Sequence, residues 1–142
     1  MEISIHDNII YGYLVKCDDF SSSVYQLVLY TEYFGPNQKV EYADVVFSNV
    51  ITHRFEAITS KTVLFDIEET QAQQIYEQDE ELFLRLKNYG WPFQYKDLDD
   101  LLHTLDKKST RAFRVHSSCG LDGWVWAEKM ELISRMERKE FN

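Results

Sequence analysis

The chain has 142 residues, 44% of them hydrophobic, and carries 24 acidic against 15 basic side chains for a formal charge of −9. That length suits a single domain, 1–142, with enough apolar material for a buried core. The charge argues against nucleic acid and membrane surfaces as partners, because both reward Lys and Arg, and is compatible with a cationic protein, peptide or metal ion.

The first half is rich in Val, Ile, Tyr, Phe and Thr, which predicts strands over residues 9–16, 24–34, 40–47, 50–57 and 61–67. A polar stretch at 17–23 and the run Gly35-Pro36-Asn37-Gln38 supply turns between them. In the second strand Tyr25, Leu27, Leu29, Thr31 and Tyr33 share one face, while Val24, Val28 and Tyr30 put apolar atoms on the other. A sheet covered on both faces over part of its area follows. The period then changes: Ile75, Leu82, Leu86 and Tyr89 fall on one side of a helix with Phe83 beside them, Thr70 and Gln73 fit a capping box, and Gly90 suits the residue just past its end. A second helix starts at Asp97, with Leu98, Leu101, Leu102 and Leu105 as its apolar stripe and Asp97, Asp99 and Asp100 at the positive end of its dipole. Strands at 111–117 and 123–133 close the chain around a turn containing Gly120, and the charged segment 135–142 suits a frayed or helical tail. The expected fold is α+β, a twisted, mostly antiparallel sheet or half-barrel in the order βββββααββ, with two helices packed on one face or end.

Residues 1–7 have neither a basic region nor an apolar run, and no stretch is apolar enough to cross a bilayer, so the expected location is cytoplasmic. Cys17 and Cys119 form neither a CxxC pair nor a disulfide framework, and read as free thiols. Glycine-rich phosphate loops, HxH, HExxH and calcium-loop spacings are absent, so neither cofactor nor metal is expected. His6-Asp7 is the composition of an oriented base, but on extended chain adjacent side chains point apart, which favours Asp7 as a turn residue. His53 and Phe55 share one face of a strand; Arg54 and Glu56 share the other, where they can pair. His116-Ser117-Ser118-Cys119 places imidazole, hydroxyls and thiol at a glycine turn, which suits either a serine-rich hairpin or the mouth of a pocket.

Charge is distributed unevenly. Residues 66–100 hold ten acidic and three basic side chains, seven of the nine net negative charges. Glu77, Asp79, Glu80 and Glu81 cluster within the first predicted helix, where they form either a solvated face or an anionic patch for a partner, with Trp91 and nearby aromatics as anchors.

Three stretches resemble one another's counterparts in a known group: His6-Asp7-Asn8-Ile9-Ile10, then Val45-Val46-Phe47-Ser48-Asn49-Val50 leading to His53-Arg54-Phe55, and Ser117-Ser118-Cys119-Gly120-Leu121-Asp122-Gly123-Trp124-Val125. Together they resemble small bacterial proteins of uncharacterised function, some assigned as immunity proteins in polymorphic-toxin systems; Asn8 departs from the small Ser or Ala common at that place. The resemblance implies a non-catalytic protein that blocks a toxin by binding it and carries no active-site residue. Two roles are therefore expected: a binding protein acting through its acidic helical surface, or a small hydrolase or ligand-binding protein with a pocket in the curved sheet near His116 and Cys119.

Overall fold

Alternation of side chains along the strands sets the architecture in the computed structural model, which describes residues 5–19, 21–58 and 62–141. Eight strands form: β1 (Ile9–Lys16), β2 (Tyr25–Phe34), β3 (Val40–Val50), β4 (Thr52–Glu56), β5 (Thr62–Thr70), β6 (Arg111–Cys119), β7 (Asp122–Ala127) and β8 (Lys129–Arg135). Three helices, α1 (Ala72–Gln78), α2 (Glu80–Lys87) and α3 (Leu98–Lys107), lie between β5 and β6. All strands join one antiparallel sheet in the order β4-β7-β6-β5-β1-β2-β3-β8.

The two ends of that order are tied to each other. β3 runs on through Ile51 into β4, and β7 through Glu128 into β8. Where each changes partner, the Ile51 N–H donates to the Trp126 carbonyl at 2.9 Å and the Glu128 N–H to the Ser48 carbonyl at 3.0 Å. The sheet therefore bends round on itself and encloses a cluster that includes Leu27, Leu29, Val45, Phe47, Leu64, Val115 and Val125. Alternate residues point outward. Ala112, Trp124 and Trp126 lie under the helices, whereas Val28, Tyr30 and Val46 form a separate outer cluster with Tyr11. Both faces of β2 are thus covered, as its residues predict.

The α+β class and the antiparallel sheet agree with the expectation; the element order βββββααββ does not. The first helix is two, because Asp79 leaves helical geometry at φ −110° and ψ 28° and α2 restarts with its own phase. Phe83, expected beside the apolar stripe, is fully buried, and Tyr89, expected on it, is 84% exposed. The Thr70–Gln73 capping box does not form either: β5 extends through Thr70, Gln71 caps α1 without a side-chain bond, and the Thr70 hydroxyl donates to Gln74 at 2.7 Å. Asp97 does cap α3, accepting the Asp100 N–H at 2.9 Å. Gly90 takes φ +75°, the left-handed conformation that ends a helix. The last expected strand is divided at Glu128, and residues 136–141 form no helix but run irregularly over β1 and β2.

Candidate functional site

The acidic helices sit on an aromatic platform. Ile75, Tyr76 and Phe83 bury against Trp124 and Trp126, which project from β7 because they are two residues apart on one face. The Phe83 ring lies 4.9 Å from Trp91, 5.2 Å from Trp126 and 5.8 Å from Trp124, the last two stacked. Asp79 fastens the junction of α1 and α2 to the sheet: Oδ2 accepts the Trp124 indole N–H at 2.6 Å and Oδ1 pairs with Arg54 Nη1 at 3.0 Å. Arg54 also meets Glu56 at 3.0 Å, the same-face pair that their spacing in β4 predicts.

Pinning the helices this way sorts the predicted site residues. Glu77, Glu80 and Glu81 are exposed, and Glu80 and Glu81 make no ion pair among the described residues. Glu77 accepts the Gln73 amide at 3.1 Å. Lying in the first turn of α2, Glu80 and Glu81 also complement its positive end. Asp79, by contrast, has both oxygens engaged, and the half-buried Trp91 packs into the aromatic cluster. Exposed apolar groups on the same segment are Leu84, 53% accessible, and Tyr89. Leu84 is the residue that sequence reasoning missed; its only signal is an apolar side chain placed off the helix stripe among charges. Beside these groups a cleft of about 250 Å³ is lined by Arg54, Gln78, Asp79, Glu81, Leu82 and Arg85.

His116 and Cys119 are laid out along β6. His116 lies opposite Asp66 with Nε2 3.8 Å from Glu68, while Cys119 is exposed near the strand end opposite Val63. The clefts formed at α2, at Tyr25, and at either side of the β2–β3 hairpin are lined by other residues. His6 and Asp7 do come together, with Nε2 and Oδ2 3.5 Å apart, because Asp7 adopts φ +66° and the chain there is not extended. Both are exposed, and His6 Nδ1 lies 3.0 Å from the Phe65 carbonyl.

A second polar pair lies on the inner side of the sheet. Tyr25 Oη and His53 Nδ1 are 2.5 Å apart, with Phe55 packed on the imidazole at 5.0 Å and Tyr13 on Phe55 at 5.8 Å. Burial holds the His53 pKa below its ordinary value; burial, and secondarily Cys17, pushes the Tyr25 phenol up. The two belong to strands that do not pair directly, β2 and β4, which is why sequence spacing could not join them. Among the described residues no group of three or more His, Cys, Asp or Glu is arranged to hold a metal, and no helix is long and apolar enough to cross a membrane. No family model matches the chain, and neither do curated proteins or solved structures.

Proposed function

We propose that this is a non-catalytic, cytoplasmic binding protein that meets a basic protein through the outward surface of α1 and α2, in the manner of an immunity protein neutralising a toxin. The observation that carries the reading is the division of labour around Asp79. One carboxylate locks the helices to the sheet, and the others, Glu77, Glu80 and Glu81, stand exposed on that fixed support beside Leu84 and Tyr89. Clustered charge speeds encounter with a surface of opposite sign, and apolar groups next to it supply contact area once the surfaces meet. A hydrolase or ligand pocket around His116 and Cys119 has less support, because the two side chains are spread along a strand, His116 opposite Asp66 and Cys119 opposite Val63.

The test is a pull-down from native lysate at low and high salt with wild type and the triple variant Glu77→Gln, Glu80→Gln, Glu81→Gln. Wild type should capture a basic protein whose association slows with salt, and the variant should lose most of that capture. Equal capture by both proteins, or an association rate indifferent to salt, overturns the reading.

A further inference from the structure

On the opposite side of the molecule's chemistry, the outer face of β1 and β2 is occupied by the irregular segment that follows β8. Its floor is built from Val28, Tyr30 and Val46, all buried, with the Tyr11 ring 6.3 Å from Tyr30 and 6.1 Å from Tyr42. Three kinds of contact read the segment. Arg138 pairs with Glu32 at 2.8 Å and lies over the Tyr11 ring at 4.1 Å, satisfying charge and ring quadrupole together. The Lys139 backbone N–H donates to Tyr11 Oη at 2.9 Å, a contact that any residue but proline can make. Phe141 packs against Tyr30 at 5.2 Å and Tyr11 at 6.3 Å.

Gly12 makes room for that last ring. A Cβ at position 12 would sit 2.6 Å from Phe141 Cζ, inside any permitted contact. The register of β1 against β2 shifts between Ile10 and Gly12, so Tyr11 and Gly12 stand at an irregularity that opens the strand surface. The segment itself is tethered lightly. Arg135 is held by two bonds from Nε and one from Nη2 to Asp44, 2.8 to 3.1 Å long, but the next residue, Met136, is 97% exposed. Beyond that point Arg138 and Phe141 are half open to water, with 53% and 52% of their surface accessible, while Glu32 is 24% accessible.

We propose that this face is a recognition slot for an extended segment of a partner protein that carries an arginine and, three residues on, an aromatic ring, and that residues 138–141 occupy it in competition with such a segment. The cis occupant demonstrates the chemistry: an anion and an aromatic face for the guanidinium, a phenol oxygen for the backbone, and a glycine-floored space for the ring. Tethering gives it an effective concentration on the order of millimolar, so a partner segment must bind with more contacts or higher avidity to displace it. The slot uses different strands from those beneath α1 and α2, and its test does not depend on the helix-surface reading.

The experiment uses a fluorescent peptide corresponding to residues 134–142, titrated against the intact chain and against a chain ending at Arg135, with anisotropy as the readout. The shortened chain should bind the peptide at least tenfold more tightly than the intact chain does. A peptide with Arg138→Ala and Phe141→Ala should bind neither. Absence of binding to the folded shortened chain, or equal binding of the substituted peptide, overturns the proposal. Should the shortened chain not fold, full-length Phe141→Ala carries the same comparison, and its failure to take up the peptide better than wild type overturns the proposal as well. Light scattering should report a monomer for the intact chain; a dimer lost on shortening would make a second copy the occupant and overturn the assignment to a foreign segment.

Discussion

The two outer faces of this sheet have the same physical problem and opposite solutions. On β6 and β7, Ala112, Trp124 and Trp126 are covered by three helices whose own apolar residues interlock with them; on β1 to β3, Tyr11 packs over Val28, Tyr30 and Val46, and one irregular segment adds a few contacts to Tyr11, Tyr30 and Glu32. Apolar surface must leave water in both places. The helical cover brings fully buried side chains and a part-buried polar fastening, so lifting it would expose far more apolar surface; the thin cover keeps its key side chains half exposed. The difference teaches where conformational change is affordable in this fold: on the side of the segment after β8.

The largest expected effect tests that asymmetry directly. Phe83→Ala removes a ring that is fully buried among three tryptophans, and should cost about 3–5 kcal/mol in denaturant unfolding, the range for emptying a packed aromatic site. Phe141→Ala removes the same atoms from a half-exposed place, and about 1 kcal/mol is expected from the area involved. Comparable losses in the two variants would show that the segment after β8 is as integral as the helices.

A smaller effect separates fastening from packing on the helical side. Asp79→Ala leaves the buried Trp124 indole N–H without an acceptor and Arg54 without its less exposed partner, at a cost of about 1–3 kcal/mol. Asp79→Asn keeps a carbonyl oxygen for the indole and loses only the ion pair with Arg54, which is partly exposed and so worth about 1 kcal/mol or less. The order Ala worse than Asn in urea midpoints supports the bond to Trp124 as the fastening. Equal losses would assign the role to charge.

Much of this architecture was legible residue by residue, and the failures have physical causes. The two-sided pattern of β2 announced both the inner cluster and the outer one, because strand alternation is local and strict. Asp97 at the start of α3 was equally local, a cap decided within one turn. The break at Asp79 was not, since its backbone leaves helical geometry where its carboxylate is engaged by Trp124 and Arg54, which come from β7 and β4. The same limit hid the Tyr25–His53 pair, which depends on how the sheet bends. The acidic side chains were found by counting, whereas their sorting into one fastener and three exposed groups required the tertiary partners.

The smallest expected effect concerns one strand whose two sides belong to different environments. β4 turns Arg54 and Glu56 outward to the helices and His53 and Phe55 toward Tyr25 and Tyr13. Because burial lowers the folded-state pKa of His53 below 6.5, both folded and unfolded chains are neutral there above that pH and its contribution is complete. As the pH falls through 6.5 the unfolded chain takes up the proton first, and this stability is lost until the folded-state pKa is reached. A single proton limits the slope to about 1.4 kcal/mol per pH unit. Tyr25 acts at the other end with its pKa raised, so its contribution is intact below 10 and declines as the pH rises beyond that value. Thermal unfolding of His53→Gln, which keeps an acceptor for the phenol but does not titrate, should show a flatter decline between pH 7 and 5 than wild type, on a scale set by that one-proton limit. Parallel curves for the two proteins would mean that the imidazole takes its proton as readily inside the fold as outside it, and that the inner side of β4 is as open to water as the outer.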